Sequence, residues 1–429
     1  MRADRSLSVR GAGAGSTRSR FRLCPPFRAG ISSIALKYIL TTRHNRYMLI
    51  RIITKMAHSN LTEYMMKEKI QLLAIWPSIV EDLTDSRIDN DILNRHMTKV
   101  LEYNVPGGKQ FRALILIHAY QLLANEQPTK ENIRLARILA WCGELIQAAG
   151  LMIDDIQDKS VLHRGQPCWY LNDNVGLSVI TDALKLKNSV YYILQKYFKG
   201  KTCYVNLLET FHNIILKTLD GQILDLQLSK NFSKKLNLNL FTMDQYKCIV
   251  RNKTSYYSFV CPVFLAMNLA GIKDPEKFKQ AETILLEIGH LFQVQDDFLD
   301  FFGDSEAIGK DSTDIQQGKC TWFIVMALQR ATPEQREILE VSTIGLMHYF
   351  ITLLYKFFSF FTQECYGFSD PEKVKCVKQL FNDLDLHKVC ISYTEQAFNL
   401  LRERIQEMSC GLPHCFFLDI LNILYRRRS

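Results

Sequence analysis

The chain has 429 residues, 47% of them hydrophobic, which is enough to bury one large core or two ordinary ones and rules out a disordered protein. The net charge of +9 would suit nucleic acid or a membrane surface, but the excess sits at one end: residues 1–55 carry twelve Lys or Arg against Asp4 alone. Removing them from the chain's 53 basic and 44 acidic residues leaves 41 and 43, so the near-neutral body gives no support to a nucleic-acid partner.

In chain order, residues 1–55 come first, rich in Arg and Ser, with FRAGISSIALKYILTTRHNRYMLIRIITK able to wind into a basic amphipathic helix. Two readings stay open. One is a mitochondrial transit peptide; the other is upstream sequence ahead of a start at Met48 or Met56, which would leave a cytoplasmic protein. The apolar core and small-residue cleavage site of a secretory signal are absent. Twelve cysteines without a CxxC or regular spacing read as reduced thiols, with neither a disulfide framework nor a zinc site.

From Met56 to the C-terminus, long segments repeat apolar residues at helical spacing, as in ENIRLARILAWCGELIQAAGLMIDD and FKQAETILLEIGHLFQVQDDFLD. Gly and Pro mostly punctuate, in NVPGGKQ, RGQP, GIKDPEK and GLPH. Alternating strand patterns are scarce, so residues 56–429 are expected to form a single all-α domain, a bundle of about ten helices. No apolar run is long and uncharged enough to be read as a membrane span.

Two stretches in these helices carry chemistry. LMIDDIQDKSVLHRGQPCWY places Asp154, Asp155 and Asp158 at the end of an oily helix. Positions four apart share a face, so Asp154 and Asp158 project together with Asp155 beside them. FQVQDDFLDFFGD repeats the pattern with Asp296, Asp297 and Asp300. One such group alone reads as a solvated helix face. Two, each emerging from an apolar helix, are like charges that call for a cation between them, and hard oxygen ligands suit Mg²⁺ completed by water and phosphate. Lys109 and Arg112 in GGKQFR, with Arg164, Lys253, Lys310 and Lys319, form a basic set flanking the aspartates. A diphosphate held by metal and such cations is a leaving group prepared to depart.

In these segments, and in YKCIVRNKTSYYSF, GKDSTDIQQGKCTW and LQRATPEQ, the sequence resembles the short-chain trans-isoprenyl diphosphate synthase family, farnesyl diphosphate synthases of the animal type above all. The resemblance implies an antiparallel isoprenoid synthase bundle around a deep central cavity, a homodimer, and three Mg²⁺ ions. It places Asp154, Asp155 and Asp158, with Asp296, Asp297 and Asp300, on the metals that hold the allylic diphosphate, and Lys253 and Lys310 on that diphosphate. It assigns Lys109, Arg112, Gln147 and Arg164 to isopentenyl diphosphate, aided by the tail YRRRS. Thr254 and Gln293 would steady the developing carbocation, and His163 and Lys319 join the substrate contacts. The reaction implied is ionisation of dimethylallyl or geranyl diphosphate, attack by the isopentenyl double bond, and proton loss to the departing diphosphate. Two competing readings are a terpene synthase on the same scaffold, which needs no isopentenyl diphosphate, and a non-catalytic partner subunit. The intact set Lys109, Arg112, Gln147 and Arg164 opposes the first, and two complete aspartate groups oppose the second.

Three departures from the family pattern stand out. His163 replaces the first arginine of an Arg-Arg pair and lacks its bidentate fork. Ala149 and Gly150 replace two bulky aromatics that floor the product pocket, which predicts a product longer than farnesyl or room for the chain to fold back, unless Phe211 or Tyr192 fills the space. The third is VSTIGLMHYFITLLYKFFSFFTQ, residues 341–363, an apolar insertion whose ends can be encoded as splice-donor and splice-acceptor sequences and which is expected to be a retained intron.

Overall fold

The computed structural model describes residues 61–85, 90–124, 127–229, 236–303, 313–339, 365–409 and 411–426. Residues 1–55, the insertion at 341–363, Lys310 and the last three residues of the basic tail lie outside them. The chain divides at Glu63/Tyr64 into two units, and the helical bundle belongs to the second, which begins at Tyr64.

The expected all-α architecture is present, and the caps explain where its helices start. Asn90 accepts from the Ile92 and Leu93 amides to open Asp91–Asn104, Thr129 opens Lys130–Gln157, Asp274 opens Pro275–Phe302, and Asp370 opens Pro371–Asp383. Between them stand Phe111–Leu123, Val179–Phe198, Tyr204–Leu228, Leu386–Glu407 and His414–Arg426. Among the described residues the one ladder is a two-residue pairing, Leu162 with Pro167 and His163 with Gln166.

Lys130–Gln157, the first aspartate helix, is the central rod, about 40 Å long at 1.5 Å per residue. By length and composition it could cross a membrane. Here it packs between Phe111–Leu123 and Val179–Phe198, burying Leu135, Leu139, Trp141, Leu145 and Met152. Trp141 lies at 0% exposure, against Trp76 with ring centroids 4.4 Å apart. None of the ten described cysteines is joined in a disulfide.

Pro275–Phe302, the second aspartate helix, joins two apolar cores. Ile284, Leu285, Ile288 and Leu291 belong to the larger. Val294 and Phe301 belong to a second, aromatic-rich core with Trp322, Phe323 and Phe381. Its aspartates therefore emerge where one core gives way to the other. Met243–Ile249 runs without a break into Val250–Val260, a π-helical stretch, and then into Cys261–Leu269. Wide turns of this kind re-aim side chains that a regular helix would place elsewhere, and this stretch carries Lys253 and Thr254.

Candidate active site

The first aspartate helix ends at Gln157, and Asp158 caps it with its N–H 2.8 Å from the Asp154 carbonyl. From there the three carboxylates diverge. Asp154 Oδ1 accepts from Gln222 Nε2 at 2.9 Å and from Lys253 Nζ at 3.4 Å. Lys319 Nζ donates to Asp158 Oδ2. Asp155 turns to another side, where His163 Nδ1 lies 3.1 Å from its Oδ1. Lys253 Nζ also donates to buried Asp225 at 2.6 Å.

Burial disfavours the charges of Asp154, Asp158, Lys253 and Lys319, and their neighbours decide the outcome. Against burial, Lys253 and Lys319 hold the Asp154 carboxyl below the usual carboxylate range. Burial raises Asp158, which Lys319 opposes and the Asp154 charge reinforces. Burial would likewise lower the two lysines, yet Asp154 and Asp225 hold Lys253 above its ordinary value, and Asp158, Asp225 and Asp154 do the same for Lys319. Two ammonium groups thus stand among three carboxylates.

In the second group the aspartates are unequal. Asp297 is enclosed: the Tyr246 hydroxyl and the Trp322 amide each donate to Oδ2 at 2.8 Å, and Gln293 Nε2 donates to Oδ1 at 2.9 Å. Burial, reinforced by Asp314, pushes its carboxyl up to about 7. Asp296 is half-buried and Asp300 buried. The Asp314 amide donates to Asp300 Oδ1 at 3.4 Å.

One segment ties the two groups together. Within residues 313–322, Asp314 reaches Asp300, Gln317 Nε2 donates to the Asp158 carbonyl at 3.1 Å, Lys319 pairs with Asp158, and Trp322 caps Asp297. Beneath it, the Tyr366 hydroxyl donates to the Lys319 carbonyl at 2.6 Å. Residues 313–322, the described part of the motif GKDSTDIQQGKCTW, are therefore a strap between the aspartate groups as well as a source of Lys319.

The π-helical stretch is gripped from two sides by glycines. A Cβ on Gly221 would lie 2.1 Å from the Lys253 backbone nitrogen, and one on Gly289 would lie 2.4 Å from Ser255 Oγ. Only glycine permits this approach. It delivers Lys253 to Asp154 and Asp225, and it sets the Thr254 hydroxyl to donate to Gln293 Oε1 at 2.8 Å, extending the chain of bonds to Asp297.

A second cationic cluster forms around Arg164. Arg164 and Gly165 both have left-handed backbone, φ 54° and 74°, as a two-residue hairpin turn requires. The turn folds the guanidinium onto Gly107 and Gly108, where added Cβ atoms would sit 2.9 and 3.0 Å from it. Arg112 donates to the Tyr257 hydroxyl at 2.8 Å and to Ser258 Oγ at 2.9 Å. Buried Glu144 accepts from the Ala113 amide at 3.2 Å, and its carboxyl is raised by burial against the opposing pull of Arg112 and Arg164. Lys109 is exposed and Gln147 buried.

A cleft of about 730 Å³ opens where Gly107, Gly108, Asp155, His163 and Arg164 meet. Below Arg112 runs an apolar seam of about 20 Å³, lined by Gly143, Ile146, Phe211 and Tyr257 among others. Ala149 is buried, while a Cβ at Gly150 would meet nothing within 4 Å.

Sequence reasoning missed Gln222, Asp225 and Tyr246, as well as the two glycines. A signal existed for the first pair: GQILD places Gln222 and Asp225 three apart in an apolar helix, the same pattern that exposed the aspartate groups. Among the described residues no three carboxylates, histidines and cysteines converge into a ready-made metal cage. Mg²⁺ does not need one, because it keeps waters and takes one or two carboxylates together with substrate phosphates. The hard oxygens of Asp154, Asp158 and Asp296 fit that manner of binding.

The sequence model described as Polyprenyl synthetase matches residues 94–344, more than half of the chain. The chain belongs to this family. It is a prenyltransferase with the all-α isoprenoid synthase fold. It is 43% identical over 363 residues to the farnesyl pyrophosphate synthase of Nezara viridula, covering 84% of this chain and 83% of that protein. It is 40% identical to that of Gallus gallus, covering 85% and 93%, and 37% identical to that of Homo sapiens, covering 85% and 82%.

Proposed function

We propose that the chain synthesises farnesyl diphosphate by condensing isopentenyl diphosphate with dimethylallyl or geranyl diphosphate. Isoprenyl diphosphates are the substrates that family membership implies, and the family uses Mg²⁺. The observation that carries this reading is the presence of two separate cationic sites: Lys253 and Lys319 among the aspartates, and Arg112 with Arg164 around Glu144. One diphosphate needs only one of them. A terpene synthase would have no use for the second, and the farnesyl synthase relatives do not favour it.

In this reading Asp154, Asp155, Asp158, Asp296 and Asp300 hold about three Mg²⁺ ions, and Asp297 supports them from within the protein. The metal, when bound, neutralises charge on the departing diphosphate. Lys253, Lys319 and Lys310 receive that diphosphate. The Lys253–Asp225 pair keeps the ammonium aimed and protonated. Thr254 and Gln293 present oxygens toward the developing cation, and Lys109, Arg112, Gln147 and Arg164 orient the isopentenyl group. His163, paired with Asp155, supplies less charge to the allylic diphosphate than an arginine would. A Cβ at Gly150 would meet nothing within 4 Å, which supports room beside Ala149 and Gly150 for the farnesyl chain to fold back.

A homodimer is supported by apolar residues left exposed in rows: Leu216, Leu219 and Ile223 on one helix, Ile180 and Leu184 on the preceding one. Residues 1–55 act as a mitochondrial transit peptide or precede the start of a cytoplasmic protein, and 341–363 is a retained intron. Sequencing the transcript and the mature N-terminus decides both.

The direct test supplies the purified chain starting at Met56 with Mg²⁺ and geranyl diphosphate, with and without isopentenyl diphosphate. Elongated diphosphates that form only with isopentenyl diphosphate are expected. Hydrocarbons or alcohols from geranyl or farnesyl diphosphate alone, without elongation, would overturn the proposal.

A further inference from the structure

We infer that Gln110 is the positioning residue that holds the isopentenyl diphosphate clamp together, an inference that rests on the function proposed above. Residue 110 has φ 45° and ψ 37°, a left-handed conformation unfavourable for a residue that carries a Cβ. It is also only 3% exposed. Its side chain accounts for both facts. Nε2 donates to the Pro106 carbonyl and to the Gly107 carbonyl, the latter at 3.1 Å. Because both partners are acceptors, the amide must present its nitrogen to them. It does so although Oε1 is left buried without a hydrogen-bond partner among the described residues.

Gln110 also begins the helix Phe111–Leu123, its own carbonyl accepting from the Leu114 amide at 3.0 Å. One residue therefore ties the loop before it to the helix after it. The loop carries Gly107 and Gly108, on which the Arg164 guanidinium rests, and Lys69 Nζ donates to the Gly108 carbonyl at 3.0 Å. The helix carries Arg112 in its first turn, against Tyr257 and Ser258. Lys109 is the adjoining residue. The relative placement of Lys109, Arg112 and Arg164 thus depends on a ring closed by one buried amide. Gln110 acts through these cations and does not itself touch the substrate.

The test uses two variants of the full chain. Gln110→Met keeps the volume and removes both donors; Gln110→Gly relaxes the backbone and also removes them. Both are expected to raise KM for isopentenyl diphosphate by about tenfold, the worth of two ordinary hydrogen bonds, with KM for geranyl diphosphate changed by less than about twofold. Should the Met variant fold poorly, the Gly variant carries the same comparison. A Gly variant equal to wild type would overturn the inference, as would equal rises in KM for both substrates. Titration calorimetry with isopentenyl diphosphate reads the same split without turnover. Failure of the wild-type chain to elongate would overturn the proposed function, while the Gln110 inference would stand or fall on binding.

Discussion

A single methyl group at Gly221 tests whether close backbone approach aims Lys253, the lysine proposed to receive the diphosphate. The added Cβ in Gly221→Ala would lie 2.1 Å from the Lys253 nitrogen and 2.7 Å from both the Asn252 carbonyl carbon and Lys253 Cα. Ordinary contact begins near 3.4 Å, so helix and π-helical stretch must separate by about 1.3 Å. The obstacle is backbone and cannot rotate away. Overpacking of this sort costs ~1–3 kcal/mol, and alanine's better helix propensity offsets ~1 kcal/mol of it. The net loss of stability is therefore modest, ~0–2 kcal/mol. The loss of function is larger, because the displacement acts on Lys253, whose Nζ lies 2.6 Å from Asp225 and 3.4 Å from Asp154. Misplacement of about 1 Å can cost ~100-fold in rate. The assay compares kcat and the urea midpoint with those of Gly143→Ala, where an added Cβ meets nothing within 4 Å and stability should rise by up to ~1 kcal/mol. A Gly221→Ala enzyme with wild-type kcat and midpoint would refute the claim that this contact positions Lys253.

Three further outcomes are expected from other parts of the molecule. Asp225→Asn leaves the Lys253 ammonium short of a buried counter-charge, so stability should fall by ~1–3 kcal/mol and kcat with it; a variant unchanged in both would remove Asp225 from the site. Burial, with a contribution from Lys247, lowers the His290 imidazole to about 4, below its ordinary 6.5. Because the unfolded chain takes up a proton first, stability is full above pH 6.5 and is lost as pH falls toward 4, by ~2 kcal/mol at pH 5. His290→Gln should flatten that part of the stability profile while its amide still reaches the Tyr393 hydroxyl; parallel profiles would contradict the assignment. Gly150→Phe should shorten the main product by at least one isoprene unit, read by chromatography of the dephosphorylated prenols. An unchanged product distribution would place the floor elsewhere, with Phe211 the next residue to truncate.

The amino-acid sequence by itself determined the helices, because their caps and apolar spacing are local properties that act before any tertiary contact forms. Both aspartate groups were also legible, since charge in the middle of oily helices is conspicuous in one dimension. Spacing alone did not reveal that Asp155 parts from Asp154 and Asp158 to meet His163, or that Asp297 is enclosed by Tyr246, Gln293 and Trp322. Those are choices made by elements distant in the chain. Gly221, Gly289 and Gln110 were invisible for the same reason: a glycine that admits another backbone, or an amide that closes a loop, looks ordinary until its neighbour is in place. The sequence dictated which groups could carry charge. Tertiary structure alone decided which of them meet, because burial and backbone contact between remote segments select the partner of each charge.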